Sequence, residues 1–303
     1  MDSKVAVVIP CYNEELTIGK VINDFKMYLP AAKIYVFDNN STDRSAEIAK
    51  SCGAEVIKEK RQGKGFVVQS MFNKIDADIY IMVDGDNTYD LSQINELISL
   101  ILNDEADMVV GNRLKNYTTK SFRPLHTLGN KIVRSLVNNF FRANLKDIMS
   151  GLRVMNRTFV KNINIIACGF EVETEMTIKA LQYNYVIREI DIYYKERPAG
   201  SFSKLRTISD GFSVIKTIFM IFKDYNPLVF FSVSSLILFL ISVSAGYLVI
   251  KEFIETRYIK HVPLAIFASG TMILSIIFFV TGAILDSVNK RFDELYNYVR
   301  NKH

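Results

Sequence analysis

Residues 79–90 read IYIMVDGDNTYD, and the junction between Val83 and Asp84 decides the fold. Five apolar residues form a strand buried on both faces, and it runs without a break into an acidic turn. Working outward, KVAVVI at 4–9, KIYVF at 33–37, a short run at 54–57 and DMVV at 107–110 read as further strands. Helical patterns fill the gaps at 14–29, at 43–52, from about Lys64 and at 91–103, the last with Asp90 and Gln93 as an N-terminal capping pair. Apolar strands alternating with helices predict an α/β domain on a mainly parallel sheet. Ligands of such sheets sit beyond the C-terminal strand ends. Three loops gather there: Pro10-Cys11-Tyr12-Asn13-Glu14, Asp38-Asn39-Asn40-Ser41-Thr42-Asp43 and Asp84-Gly85-Asp86-Asn87. Their acids and amides predict a polar mouth for a ribose, a base edge and a divalent cation.

Two familiar phosphate-binding loops are absent from that mouth. The first strand runs into Pro10-Cys11-Tyr12 where a dinucleotide fold needs G-x-G-x-x-G, and Gly63-Lys64-Gly65 has neither the spacing nor the hydroxyl of a P-loop. Asp84 and Asp86, one residue apart at a strand end, can instead hold Mg²⁺ or Mn²⁺ and leave coordination positions for phosphate oxygens.

The remainder of the chain is apolar in a different way. Of 303 residues, 49% are hydrophobic and 23% charged, which excludes disorder. Tyr225 to Ile250 is a run of 26 residues without a charge, and Val262 to Leu285 a run of 24. About 20 apolar residues cross a bilayer, so the two runs, joined by a short polar turn, predict a transmembrane hairpin with spans near 226–250 and 262–285. Arg206, Lys216, Lys223, Lys290, Arg291, Arg300 and Lys302 flank it, against Lys251, Arg257 and Lys260 in the turn, which puts both termini on the cytoplasmic side. The opening MDSKVAVVIPCYNEE has no charged-then-apolar export pattern, so the first 206 residues are expected to be cytosolic as well. Ile208, Phe212, Ile215, Phe219 and Phe222 make 207–224 a candidate amphipathic helix at the headgroups. A cytosolic tail at 286–303 carries a weaker apolar stripe that fits a membrane surface or a homo-oligomer contact. The net charge of +5 suits a membrane-surface or phosphate-handling protein and is too small to argue for nucleic acid. Three scattered cysteines, Cys11, Cys52 and Cys168, form no disulfide framework or metal knuckle and suit a reducing compartment.

An ordered set of motifs goes further. IPCYNEE at 9–15, DNNSTD at 38–43, GKG at 63–65 and DGDNTYD at 84–90 resemble family-2 glycosyltransferases of the GT-A fold. GNR at 111–113, RPLHTLGN at 123–130, SGLR at 150–153, GFEVETEM at 169–176 and ERPAGSFSKLRTISDG at 196–211 resemble the polyprenyl-phosphate (dolichyl-phosphate-type) members. The resemblance implies a GT-A (Rossmann-like) domain that moves a hexose from a nucleotide sugar to the phosphate of an undecaprenyl- or dolichyl-type lipid, with inversion. It implies donor contacts from Pro10, Tyr12, Glu14, Asp38, Asn39, Lys64 and Asp84, and a metal on Asp86 with Asp84. Mannosyl members usually carry a Gln near Thr88; its replacement favours UDP-glucose or a UDP-N-acetylhexosamine over GDP-mannose.

A lipid phosphate is already anionic, so the chemistry needs no strong base; it needs cations that let two anions meet. Guanidinium forks suit phosphate, which makes Arg113, Arg123, Lys131, Arg134, Arg153, Lys204 and Arg206 candidates, and the resemblance implies Arg113, Arg123, Lys204 and Arg206, with Arg134, as the acceptor and diphosphate set. His126 reads more readily as a loop-fixing residue than as a catalyst. Glu171, Glu173 and Glu175 share one face if strand-like, or open a helix; one of them could orient the sugar hydroxyls or hold an Arg. Three rival readings are weaker. A processive or sphingolipid-type transferase would show a Q/R-x-x-R-W motif, and this chain has no Trp. A silent nucleotide-sugar-binding scaffold does not explain the acid and base sets, and a nucleotidylyltransferase would open on a Gly-rich loop.

Overall fold

A computed structural model describes residues 3–117, 124–198, 219, 222–223 and 226–300. The chain divides into two compact units, 1–217 and 218–303. The expected amphipathic helix at 207–224 and the boundary at 206 lie almost wholly outside the described residues.

The first unit carries a seven-stranded sheet. Its first four strands are β1 (Val5–Cys11), β2 (Lys33–Asp38), β3 (Glu55–Lys58) and β4 (Ile79–Met82), separated by α1 (Ile18–Tyr28), α2 (Ser45–Ser51) and α3 (Lys64–Lys74). After α4 (Ile94–Leu102) come β5 (Met108–Tyr117), α5 (Pro124–Phe141), β6 (Arg153–Asn156), α6 (Arg157–Asn162), α7 (Val172–Gln182) and β7 (Ile187–Tyr194). The spatial order is β3-β2-β1-β4-β6-β5-β7. β1 pairs in parallel with both β2 and β4, so the chain switches direction across the sheet at β1/β4, the position where α/β sheets open a crevice. β6 is antiparallel to β4 and β5, a departure from the parallel pattern of the first half.

Strand alternation divides the core into two layers. Val7, Ile9, Val36, Ile81 and Val154 face α1 and α4 through Ile22, Phe25, Ile94 and Leu97. Their neighbours Val8, Phe37, Tyr80, Met82 and Met155 face α3, α6 and α7 through Val68, Met71, Phe159 and Met176. Successive side chains point to opposite faces, so strands covered on both sides read as continuous apolar runs.

Helix starts differ from expectation in one direction. α1 begins at Ile18 because the preceding residues form a turn in which Thr17 and Ile18 donate their N–H groups to the Glu14 carbonyl, at 3.0 and 2.9 Å. The Asp90–Gln93 capping pair does not form. Gln93 sits at the N-cap without a side-chain bond, while Asp90 accepts from the Ser92 N–H at 2.8 Å and pairs with Lys195 at 2.9 Å. An ion pair from the chain after β7 outcompetes the local cap.

The second unit is two long helices, α8 (Pro227–Thr256) and α9 (Val262–Arg300), joined by a turn with Arg257 in the left-handed region. Both are long and apolar enough to cross a membrane, each holding an 18-residue stretch with a mean hydropathy of 2.4 or 2.2 respectively, and most of each stretch is exposed. The helices meet along a seam of small polar residues. Ser235 and Ser275 each donate to the other's carbonyl, at 2.8 and 2.9 Å, and Ser242 donates to the Ala268 carbonyl at 2.7 Å. Such seams let helix backbones approach closely where no hydrophobic drive separates helix from lipid.

Candidate active site

The loops after β1, β2 and β4 meet at the switch point, and a hydroxyl fastens the first to the third. Thr17, buried in the turn after β1, donates to the Gly85 carbonyl at 2.7 Å and to Glu14 Oε2 at 3.3 Å. The Glu14 N–H in turn donates to Ser45 Oγ at 2.7 Å, so its buried carboxylate is held at the mouth. Tyr12 stands 38% exposed on the rim, and Pro10 is half-buried in β1 below it. Asp38 closes β2 and accepts from the Ser41 N–H at 3.1 Å, which shapes the second loop. Asn39, expected at the donor, is committed elsewhere. Its amide donates to the Glu59 and Arg61 carbonyls at 3.1 and 2.7 Å, and its oxygen accepts from the Gly63 N–H at 2.8 Å. It fixes the loop that leads into Lys64.

Asp84 and Asp86 are both engaged by cationic side chains. Lys64, the first residue of α3, reaches Asp84 Oδ1 at 2.5 Å and also contacts Glu173 of α7. Burial pushes the Asp84 carboxyl up, but Lys64 outweighs it and holds the carboxyl below its usual range; the same acids hold the lysine firmly protonated against its own burial. Asp86 is 3% exposed. Its Oδ1 accepts from the Thr88 hydroxyl at 2.6 Å and the Thr88 N–H at 3.2 Å, and its Oδ2 pairs with Arg197 at 2.6 Å. Burial, and then the neighbouring Asp84 charge, push the Asp86 carboxyl up. A half-buried and a buried carboxylate, repelling each other one residue apart, are a donor set suited to a hard divalent cation. Among the described residues no group of three or more His, Cys, Asp or Glu could hold a metal ion, so such an ion would complete its shell with phosphate or water oxygens.

The turn before β6 supports Asp84 from below. A Cβ on Gly151 would fall 2.8 Å from Asp84 Cγ, so only glycine leaves the carboxylate its place. Arg153, fully buried, fastens that turn by donating to the Ser150 and Ile148 carbonyls at 3.0 and 2.6 Å and to the Thr177 hydroxyl at 3.0 Å. Burial lowers its pKa to about 10. It is therefore a scaffold residue and not an acceptor contact.

Arg113 is also bound within the protein. Its Nε and Nη2 donate to the buried Asp147 at 2.8 and 3.0 Å, and its guanidinium lies 5.4 Å from the centre of the Tyr194 ring. It still influences Asp84 electrostatically, so it belongs to the site, held rigid by a bidentate partner. Arg134, on α5, is half-buried, with a 3.5 Å contact to the Lys146 carbonyl. Arg123, Lys204 and Arg206 lie outside the described residues, as does the side chain of His126. The three glutamates divide. Glu171 accepts from the Cys168 and Gly169 N–H groups, Glu175 from those of Ile166 and Ala167, and only Glu173 faces the acidic turn. Arg197, Asp147 and Gly151 are the members that the sequence did not single out as site residues, although Arg197 and Gly151 lie in quoted motifs.

Against this geometry the comparisons with known proteins agree with one another. Residues 6–163 match the family "Glycosyl transferase family 2". Protein RfbJ of Shigella flexneri is 53% identical over 122 residues, which is 40% of this chain and 95% of that protein. A dolichyl-phosphate hexose transferase of Haloferax volcanii is 30% identical over 214 residues, 71% of this chain and 92% of that protein. Among solved structures, glucosyl-3-phosphoglycerate synthase from Mycobacterium tuberculosis, in complex with Mn²⁺, UDP and glucosyl-3-phosphoglycerate, superposes with a TM-score of 0.60. It is 20% identical, covers 73% of this chain and 80% of its own, and shares the GT-A fold.

Proposed function

The chain belongs to glycosyl transferase family 2, and from that premise we propose that this glycosyltransferase moves a hexose from a UDP-sugar to the phosphate of a polyprenyl phosphate. The observation that carries the reading is the meeting, at one sheet mouth, of the Asp84/Asp86 pair with Lys64, Arg113 and Arg197. A site that must bring two anionic substrates together needs cations on fixed supports, and Lys64, held between Asp84 and Glu173, and Arg113, held by Asp147, are on such supports. The dolichyl-phosphate relative and the two membrane-length helices support a lipid-phosphate acceptor, since α8 and α9 would hold the chain on the phase where that acceptor resides.

Donor binding falls to the rim. Tyr12 offers an exposed ring for the base, and the buried carboxylates of Glu14 and Asp38 offer acceptors for base or ribose donors. A Mg²⁺ or Mn²⁺ ion, held by Asp84 and Asp86, would supply charge neutralisation for the leaving diphosphate. Lys64 and Arg113 bring further positive charge to the same place and keep their protons at any working pH. The acceptor oxygen is anionic from the start, so attack on the anomeric carbon needs orientation and no base, and in-line displacement inverts that carbon. We place the catalytic unit and both termini on the cytoplasmic side, in keeping with the basic flanks of the hairpin; proteolysis of sealed vesicles should cut the first unit from that side alone.

The deciding experiment incubates the purified full chain with Mn²⁺, a short polyprenyl phosphate and a panel of nucleotide sugars. The expected product is a polyprenyl-phosphate hexose formed from a UDP-sugar. Transfer to a sugar or lipid hydroxyl, with the phosphate lipid unused, would overturn the acceptor assignment.

A further inference from the structure

We propose that Arg197 is a built-in counter-cation of Asp86 that a divalent ion must displace, so that this arginine sets the affinity of the protein for its metal. The inference rests on the reading above, in which Asp86 holds the metal.

The two oxygens of Asp86 have different partners. Oδ1 is held by Thr88, through its hydroxyl at 2.6 Å and its N–H at 3.2 Å, and Oδ2 is held by Arg197 at 2.6 Å. The Thr88 contacts are neutral and come from two residues away, so they fix the direction of the carboxylate without cancelling its charge. The Arg197 contact cancels it. A guanidinium cannot release its charge by deprotonation, so Oδ2 becomes open to a second cation only when the side chain moves. The Arg197 side chain is 29% exposed and that of Asp86 is 5% exposed, so the carboxylate is enclosed and the arginine is the partner at the solvent edge of the pair.

Lys64 on Asp84 is a different case. It bridges Asp84 and Glu173, so a metal that takes Asp84 still leaves the lysine with a buried acid of its own. Burial and the nearby Asp84 charge both disfavour an uncompensated Asp86 carboxylate, which explains why a counter-ion is built in. Arg197 thus holds the Asp86 carboxylate in place before the metal arrives, at the cost of competing with it.

The test measures Mn²⁺ binding to the full chain in detergent at pH 8, without donor, for the wild-type protein, Arg197→Gln and Asp86→Asn. Arg197→Gln should bind Mn²⁺ about tenfold more tightly, the scale of one charge-assisted hydrogen bond. Unchanged or weaker binding overturns the proposal. Asp86→Asn separates the two readings. Loss of Mn²⁺ binding there, with no tightening in Arg197→Gln, sinks the counter-cation alone, whereas wild-type binding by Asp86→Asn sinks the metal site beneath it. A second readout needs no variant: reaction of Arg197 with phenylglyoxal, followed by mass spectrometry of the wild-type protein, should speed up severalfold when Mn²⁺ saturates the site. A constant or slower rate counts against displacement, and it decides the matter if Arg197→Gln lacks the wild-type melting transition.

Discussion

At the acidic turn of the catalytic unit the paired polar groups are charges drawn from distant segments: Lys64 of α3 meets Asp84 after β4 and Glu173 of α7, and Arg197 after β7 meets Asp86. In the hairpin they are hydroxyls, Ser235, Ser242 and Ser275, each bonded to a carbonyl on the facing helix. A buried charge costs several kcal/mol unless an opposite charge and hydrogen bonds offset it, and the offset is only about break-even for stability. Groups kept on those terms are there for what they do to a ligand. A buried hydroxyl costs far less and binds a helix partner weakly, which suits a seam whose task is assembly.

Each prediction presses on that contrast. Asp86→Ala should lower turnover by about three orders of magnitude, the scale for losing a principal electrostatic element, while the melting temperature changes little because Arg197 lies at the solvent edge of the pair. Equal losses in stability and turnover would erase the distinction between the two regions. Lys64→Met leaves Asp84 and Glu173 buried with their shared cation gone, so thermal unfolding should show a loss of about 3–5 kcal/mol. Adding Glu173→Gln should restore part of that loss if the lysine answers to both acids.

Glu59 tests the loop that delivers Lys64. Hydrogen bonds from Arg61 hold its carboxyl at about 2, against an ordinary 4.5. A depressed carboxyl stabilises the fold fully above pH 4.5, and that contribution disappears as pH falls toward 2. Glu59→Gln should therefore flatten the acid limb of stability in that window, by about 1 kcal/mol, in denaturant titrations at stepped pH. The smallest effect belongs to the hairpin. Ser235→Ala should weaken helix association by about 0.6 kcal/mol in a detergent dissociation assay, with turnover by the catalytic unit unaltered.

Much of the site was legible because its first half is local. A strand covered on both faces must be a continuous apolar run, so β4 announces itself, and the acids that follow it must lie at its C-terminal end. The same logic exposed the loops after β1 and β2. Helix starts were read early by several residues, since apolar periodicity continues into turns that Glu14 and Asp90 in fact organise through bonds to other segments. The backbone partners of the Asn39 side chain were hidden for a related reason: an amide in a polar loop looks the same whether it faces a ligand or a backbone.

The sequence by itself determined the α/β alternation, the acidic turn, the family and the two membrane-length helices, because each depends on the spacing of residues near one another in the chain. Tertiary structure alone decided which cation neutralises which acid, that Gly151 seats Asp84, that Asp147 locks Arg113 and that Asp86 is enclosed. Those are choices among many lysines, arginines and carboxylates of equal chemistry, and Coulomb attraction over a few ångströms selects partners only after packing has brought their strands and helices together.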